Sequence, residues 1–370
     1  MMIATLIFFV VYVIVIGIIV SVGFVKQRSK ENQYGKDESK IEASEITVLI
    51  PFRNEEHRLD GLLDSISDLK EQPNRFIFIN DHSDDASVQV IRDRLTIENY
   101  SVIDLPEGIT GKKRALRFAS GQIETKYTLT IDADVEFNAS YLSALAQLGD
   151  ADMYVLPAVM ISKKWYEHFY EIDLLLVTAA NAGLSGLARP IMASGANLLY
   201  KTEAFRKVDN LESHINMASG DDTYLLRDFR ENNKDVRLHS SRDCSVTTET
   251  PQSFREFIDQ RLRWIGKTGD IKDNLSTTLA VVQAVLTIGF FGLLLWSMIE
   301  GQWKITALLF GLKSITDLFL FFPYFNRVKR LQSWVFIPIY EILFPIYTLL
   351  ILVLLFTYKP KWKGRKIYAD

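Results

Sequence analysis

Cysteine is nearly missing from this chain: there is one in 370 residues, Cys244. That excludes a disulfide scaffold and reads most simply as a reduced core or strand residue. An excess of one charge is missing too. Lys and Arg number 42 and Asp and Glu 45, a net charge of −3, which argues against a general nucleic-acid binder. The five histidines (His57, His82, His168, His214, His239) have no paired spacing, so no zinc site is expected. There is no G-x-S-x-G, no internal repeat and no low-complexity tract. With 48% hydrophobic residues and little net charge, a disordered chain is excluded as well.

A mean hydropathy of +0.07 suggests an ordinary soluble protein of about two domains. The apolar residues, however, are unevenly spread. Met1 to Val25 carries no charge and is long enough to span the ~30 Å hydrocarbon core as a helix. It lacks the basic start, short apolar run and small-x-small site of a cleaved signal peptide, so a retained anchor is expected. Asn274–Ile299 is a second uncharged run. Ile305–Phe325 carries Lys313 and Asp317, and Leu331–Tyr358 carries Glu341, Pro338 and Pro345. Charges at membrane depth are costly, so these two should be packed on protein, tilted or partly interfacial.

Basic residues beside the spans set orientation. Lys26, Arg28 and Lys30 follow the first run, which places residues 26–273 in the cytoplasm. Arg327, Lys329 and Arg330 fit the same side after two further crossings. A full fourth crossing would put the basic tail (Lys359, Lys361, Lys363, Arg365, Lys366) outside. A re-entrant or interfacial element would return it, and both alternatives stay open. The division is then an anchor at 1–25, a polar linker at 26–44, a soluble domain at 45–273, about three membrane helices within 274–358 and a basic tail at 359–370.

Within the soluble part, residues 45–52, 75–81, 100–105 and 126–133 are short apolar runs rich in strand formers. Helical patterns lie between them, at about 54–70, 84–96 and 111–122. This alternation predicts right-handed βαβ units and a mainly parallel sheet. Such sheets bind ligands beyond the carboxyl ends of their strands, which here carry Arg53-Asn54-Glu55-Glu56, Asn80-Asp81 and Asp132-Ala133-Asp134. Strand alternation would aim Asp132 and Asp134 at one ion, and hard oxygen donors suit Mg²⁺ or Mn²⁺ bridging to a diphosphate. Gly111-Lys112-Lys113 opens a helix and could take a diphosphate, yet it is no P-loop, since Lys113 stands where Ser or Thr should be. Gly220-Asp221-Asp222 is either an acidic helix start or a general base at a pocket edge. Gln260, Arg263 and Trp264 share one face of a helix at 253–267, which would also suit a membrane surface.

In this order the motifs resemble the inverting family 2 glycosyltransferases of the GT-A fold, in their membrane-anchored branch, from about Ile46 to Trp264. VLIPFRNEE (Pro51, Arg53 and Glu55 included) resembles the family's first strand and nucleotide-binding turn. INDHSDDAS resembles V-D-D-x-S-x-D through Asp81, Ser83 and Asp85, with Asn80 replacing the first Asp. GKKRAL resembles G-K-x-x-A-L, SGANLLYKTEAF (194–205) the acceptor-side segment, and GDD the E-D motif with Asp221 in place of Glu. Gln260, Arg263 and Trp264 match Q-x-x-R-W. The resemblance implies a GT-A, Rossmann-like α/β domain flanked by transmembrane helices. It implies that Asp81 contacts uracil, Lys112 faces the nucleotide, and Asp132 and Asp134 hold the metal and diphosphate. Asp222 falls on the catalytic base, Arg263 near the diphosphate, and Trp264 beside the acceptor.

The activity implied is transfer of a sugar from a UDP-sugar, with a divalent cation (Mg²⁺ or Mn²⁺), to a hydroxyl of a membrane lipid or a saccharide, giving a β-glycoside. One catalytic domain with few spans suits a lipid acceptor, as in the ceramide glucosyltransferase-like branch, and a bacterial inner membrane. A processive polysaccharide synthase is the alternative, and a non-catalytic scaffold is the reading from another class.

Overall fold

The computed structural model describes residues 2–36, 39–208, 221–271, 273–358, 361–362 and 365–366. From the N-terminus come α1 (Met2–Gly17), a π-helical turn (Ile18–Gly23), α2 (Phe24–Tyr34), β1 (Ile46–Phe52), α3 (Asp60–Ser67), β2 (Arg75–Asn80), α4 (Ser87–Arg94) and β3 (Tyr100–Asp104). They are followed by α5 (Lys112–Ser120), β4 (Tyr127–Ile131), β5 (Val135–Glu136), α6 (Tyr141–Leu145), β6 (Met153–Val155), β7 (Ala158–Ile161) and α7 (His168–Leu187). Next are β8 (Asn197–Lys201), α8 (Thr202–Val208), α9 (Asp221–Glu231), β9 (Val236–Leu238), β10 (Val246–Glu249) and α10 (Phe254–Ile271). The chain closes with α11 (Asn274–Ile299), α12 (Trp303–Arg327), α13 (Leu331–Trp334), α14 (Ile337–Thr357) and a short hairpin, β11 (Lys361–Trp362) with β12 (Arg365–Lys366).

Two compact units divide the chain, and neither is contiguous. The α/β unit comprises Arg28–Ile161 and Met192–Glu249. Its seven-stranded sheet runs β3-β2-β1-β4-β8-β6-β9, parallel except where β8 pairs antiparallel with β4 and β6. A second small sheet has the order β5-β10-β7. The central strands are apolar on both sides, as parallel strands covered by helices must be. Val48, Ile50, Phe76 and Phe78 face one core with Leu62, Leu63 and Ile66 of α3. Leu49, Ile77 and Ile79, the alternate positions, face a second core with Ala115, Leu116 and Ala119 of α5. Register pairs Val48 with Phe76 and Ile50 with Phe78, so each face of the sheet is continuous across strands.

Within the segment expected as a polar linker at 26–44, several described residues make specific contacts. Residues 26–34 continue the helix, and Glu31 accepts from the Ser240 amide and hydroxyl at 2.8 Å. Ile41 is buried, and its N–H donates to the Leu148 carbonyl. A few buried anchors hold this segment against the α/β unit, whatever its mean polarity. Of the stretch expected as the soluble domain, 45–273, Ser162–Ile191 and residues 250–273 fall in the other compact unit.

That helical unit comprises Met1–Gln27, Ser162–Ile191 and Thr250–Asp370. Among the described residues, four helices are long and apolar enough to cross a membrane: Ile7–Tyr34, Asn274–Ile299, Trp303–Arg327 and Ile337–Thr357. Their outward faces are apolar, with Phe319 77% and Phe356 90% exposed. The expected packing of charges on protein is observed. Lys313 Nζ lies 2.9 Å from Asp317 and 3.4 Å from Glu341, while Tyr12 donates to Asp317 and Ser314 to Glu341. Pro345 lies inside α14 without ending it; at 21 residues α14 is about 31 Å long. Helix α7 meets the π-helical turn backbone to backbone. A Cβ on Gly183 would stand 1.9 Å from the Ile19 carbonyl oxygen, and one on Gly186 1.9 Å from that of Gly23.

Candidate active site

The site is built from the turns that end β1, β2 and β4, the start of α5, and the start of α9. Asn54 and His82 take left-handed backbone (φ 51° and 56°), letting the chain reverse directly after β1 and β2. These two turns are sewn together. The Asn54 amide donates to Ser83 Oγ and its side chain to Asp84, while the Glu55 and Glu56 amides donate to Ser87 Oγ and Asp85 Oδ2. Burial alone would raise the Asp85 carboxyl, but hydrogen bonds from Ser87 and the Glu56 amide hold it below its ordinary value. Ser83 and Asp85 thus set the shape of the first turn, which carries Arg53 and Glu55 directly after Pro51 near the end of β1. Arg53 Nη1 donates to the Asp81 carbonyl at 3.3 Å.

Asn80, the departure from the family pattern, has a specific structural role. Its amide donates to Asp104 Oδ1 at 2.7 Å while its oxygen accepts from the Ser83 N–H at 2.9 Å. A carboxylate could accept but not donate, and it would face a second carboxylate. The buried Asp81 accepts from the Gly111 N–H at 3.0 Å. Gly111 has φ 95°, a backbone conformation that favours glycine, and it caps α5. Lys112, the first residue of α5, extends its ammonium to Asp132 Oδ1 at 2.5 Å and to the Gly195 carbonyl at 2.9 Å. The Gly195 N–H, in the preceding peptide group, donates to Asp222 Oδ2 at 3.1 Å. Lys113 lies 4.5 Å from the ring centroid of Tyr224 on α9. Asp222, the second residue of α9, also accepts from the Thr223 amide and hydroxyl. The structure therefore links Asp81 to Asp132 through the adjoining Gly111 and Lys112, and Lys112 to Asp222 through the backbone of Gly195.

Asp132 and Asp134 do not lie on the strand as their alternation suggests. β4 ends at Ile131, and the pair occupies the turn between β4 and β5. Asp134 Oδ2 is 3.5 Å from Arg58 Nη1. Each acid is about one third exposed, at 37% and 33%, and each draws a cationic side chain. Two hard oxygen donors in such a turn fit a divalent cation that completes its shell with phosphate oxygens. Among the described residues no group of three or more His, Cys, Asp or Glu gathers as a metal site.

Gln260, Arg263 and Trp264 lie on α10, in the helical unit. Between them, Arg261 is buried and ion-paired with Asp173 of α7, which also accepts from Tyr340. The Arg261 guanidinium covers the Trp264 ring at 4.4 Å. Ser219 and Gly220, and the side chain of Asp221, lie outside the described residues. The sequence reading missed Arg58 and the bridging role of Gly195. Arg58 follows a run of charges with no period, and a backbone bridge leaves no side-chain signature.

Comparison with known proteins completes the picture. The glycosyl transferase family 2 model matches residues 47–209. Teichoic acid poly(glycerol phosphate) polymerase of Staphylococcus epidermidis is 26% identical over 206 residues, 53% of this chain. The chain spans about a quarter of that relative's length, 27%. A mannosyltransferase of Pyrobaculum calidifontis, solved with GDP-Man and Mn²⁺, is similar in fold: TM-score 0.50 and 13% identity, covering 90% of this chain and 98% of that one. Glucosyl-3-phosphoglycerate synthase of Mycobacterium tuberculosis covers 60% of this chain and 80% of its own, with TM-score 0.40 and 14% identity. Residues 47–209 thus match the glycosyl transferase family 2 model within a fold similar to that of the mannosyltransferase, with helices of membrane-spanning length before and after them in sequence.

Proposed function

We propose that the protein transfers a sugar from a nucleotide-sugar, a UDP-sugar by the Asp81 turn, to a hydroxyl of a membrane lipid, with inversion at the anomeric carbon. The observation that carries this reading is the chain of contacts from Asp81 through Gly111, Lys112, Asp132 and Gly195 to Asp222. It supports assigning these residues the roles of nucleoside contact, lysine, metal-holding acid and base. Asp132 and Asp134 would hold Mg²⁺ or Mn²⁺, which when bound neutralises charge on a diphosphate. Lys112, at the start of α5, places a positive charge and a helix N-terminus toward the same leaving group. Asp222 takes the proton from the acceptor hydroxyl as its oxygen attacks the anomeric carbon opposite the diphosphate. One displacement of this kind converts an α-linked donor to a β-glycoside. Asp221 would border the base, and Gln260, Arg263 and Trp264 would supply an amide, a guanidinium and an aromatic plane for diphosphate and acceptor.

Four membrane-length helices support a lipid acceptor and a place in the bacterial cytoplasmic membrane, with the catalytic domain on the cytoplasmic side. A polymer product is the second reading, favoured by the polymerase relative. Membranes containing the protein, incubated with radiolabelled UDP-sugars and a divalent cation, should yield organic-extractable label. Label confined to a long water-soluble polymer would establish the second reading instead. No transfer from any nucleotide-sugar would refute both.

A further inference from the structure

Between β7 and α7 the chain reads Ser162-Lys163-Lys164-Trp165-Tyr166-Glu167. Residues 163–166 are all exposed, and Trp165 is 73% exposed. One exposed apolar side chain is ordinary by itself; what sets Trp165 apart is the company of Tyr166, 39% exposed, and two exposed lysines on the same turn. The turn is ordered by its own acid: Glu167 accepts from the Lys163 and Lys164 amides at 2.7 and 3.0 Å, and lies 3.9 Å from Lys164 Nζ.

Its location is set by contacts within the helical unit. Ser162 Oγ and Ser333 Oγ both bond His168 Nδ1, at 2.9 and 3.0 Å. The His168 ring stacks on Phe336 at 4.3 Å. Glu171, which accepts from the Ser162 amide, forms a two-pronged pair with Arg330 at 2.5 and 2.8 Å. Arg330, Ser333 and Phe336 belong to the connection between Arg327, the last residue of α12, and Ile337, the first of α14. Both are membrane-length helices, so the turn lies level with the ends of two spans. That connection adds an exposed lysine, Lys329, and an exposed apolar side chain, Val335 at 58%. Aromatic rings flanked by lysines at the ends of spans match the chemistry of the water–lipid boundary, where rings sit among headgroups and ammonium groups meet lipid phosphates.

We propose that Lys163–Tyr166 and the Lys329–Val335 connection form one interfacial anchor that seats Trp165 and Val335 in the bilayer surface and gathers anionic phospholipid headgroups on Lys163, Lys164 and Lys329. This inference does not depend on sugar transfer.

The test uses the full chain in phosphatidylcholine vesicles containing phosphatidylglycerol. An environment-sensitive fluorophore is attached at Trp165→Cys and, as a control, at Glu98→Cys, exposed on the α/β unit. Cys244 is buried, and labelling of the parent chain sets the blank. The probe at 165, but not at 98, should be quenched by lipids spin-labelled at interfacial depth. Spin-labelled phosphatidylglycerol should quench it about twofold more than phosphatidylcholine at the same mole fraction, as expected for lysines at an anionic surface. Lys163→Gln/Lys164→Gln/Lys329→Gln should abolish that preference while leaving the depth unchanged. Equal quenching at 165 and 98 overturns the anchor. Equal quenching by the two lipids, or a preference that survives the triple variant, overturns the anionic site.

Discussion

Asn80 and Asp104 illustrate how one residue changes what a motif requires of its neighbours. The amide both donates to Asp104 and accepts from the Ser83 amide, so Asn80→Asp sets two carboxylates together and loses a charge-assisted hydrogen bond. The expected cost is about 1–3 kcal/mol in a denaturant or thermal unfolding experiment. Asn80→Asp/Asp104→Asn should regain most of it, and a double variant no better than the single would remove this account. For the proposed reaction, Asp222→Asn keeps a side chain of the same shape but cannot take a proton. Transfer should fall by about 10²–10⁴, the usual contribution of a positioned base, while UDP affinity measured by calorimetry stays within about twofold. Lys112→Met removes the charge joining Asp132 to the Gly195 carbonyl and should weaken nucleotide-sugar binding about tenfold, equivalent to about 1.4 kcal/mol.

Among the elements, α7 and the N-terminal π-helical turn approach so closely that only hydrogen fits between them at Gly183 and Gly186. Gly186→Ala should destabilise the detergent-solubilised chain by about 1–3 kcal/mol, as overpacking does. Gly292→Ala on α11, where nothing lies within 4 Å of the new methyl, is the comparison and should leave the unfolding midpoint unchanged. In the sheet, Asp150 ties Tyr127 at the start of β4 to Lys201 at the end of β8. Burial opposes its ionisation, but bonds from Lys201, Tyr127 and Lys126 prevail and hold the carboxyl well below the usual range. A depressed acid contributes stability above its unfolded value of about 4 and loses it as pH falls toward the folded value. Wild type should therefore lose more midpoint temperature than Asp150→Asn when the pH is lowered through that window. Equal losses would show that Asp150 does not carry the acid sensitivity.

Across the whole molecule the chain passes repeatedly between two units, so neither can be cut out as one stretch. Under the proposed orientation, a cysteine at Glu300, in the turn between α11 and α12, is labelled by an impermeant maleimide from outside intact cells. One at Glu98 reacts after permeabilisation, and the reverse pattern would invert the topology. Much of this was readable beforehand, because it rests on local physics. Uncharged runs long enough to span, alternating strand and helix patterns, acids at strand ends and the order of the motifs are properties of neighbouring residues. Their period and composition are written in the chain. Other features depend on which surfaces meet, and they required the tertiary structure. In the polar segment at 26–44, Glu31 finds Ser240 and Ile41 finds a core, partners far away in sequence. Lys313, Asp317 and Glu341 lie at costly positions until α12, α14 and Tyr12 of α1 bring them together. Asp132 and Asp222, 90 positions apart, reach one site through Lys112 and a backbone peptide that no motif search weighs. Hydropathy and spacing determined which segments fold locally and which could cross a bilayer. Long-range packing, where each contact exists only because others have already placed its partner, decided what the segments make together.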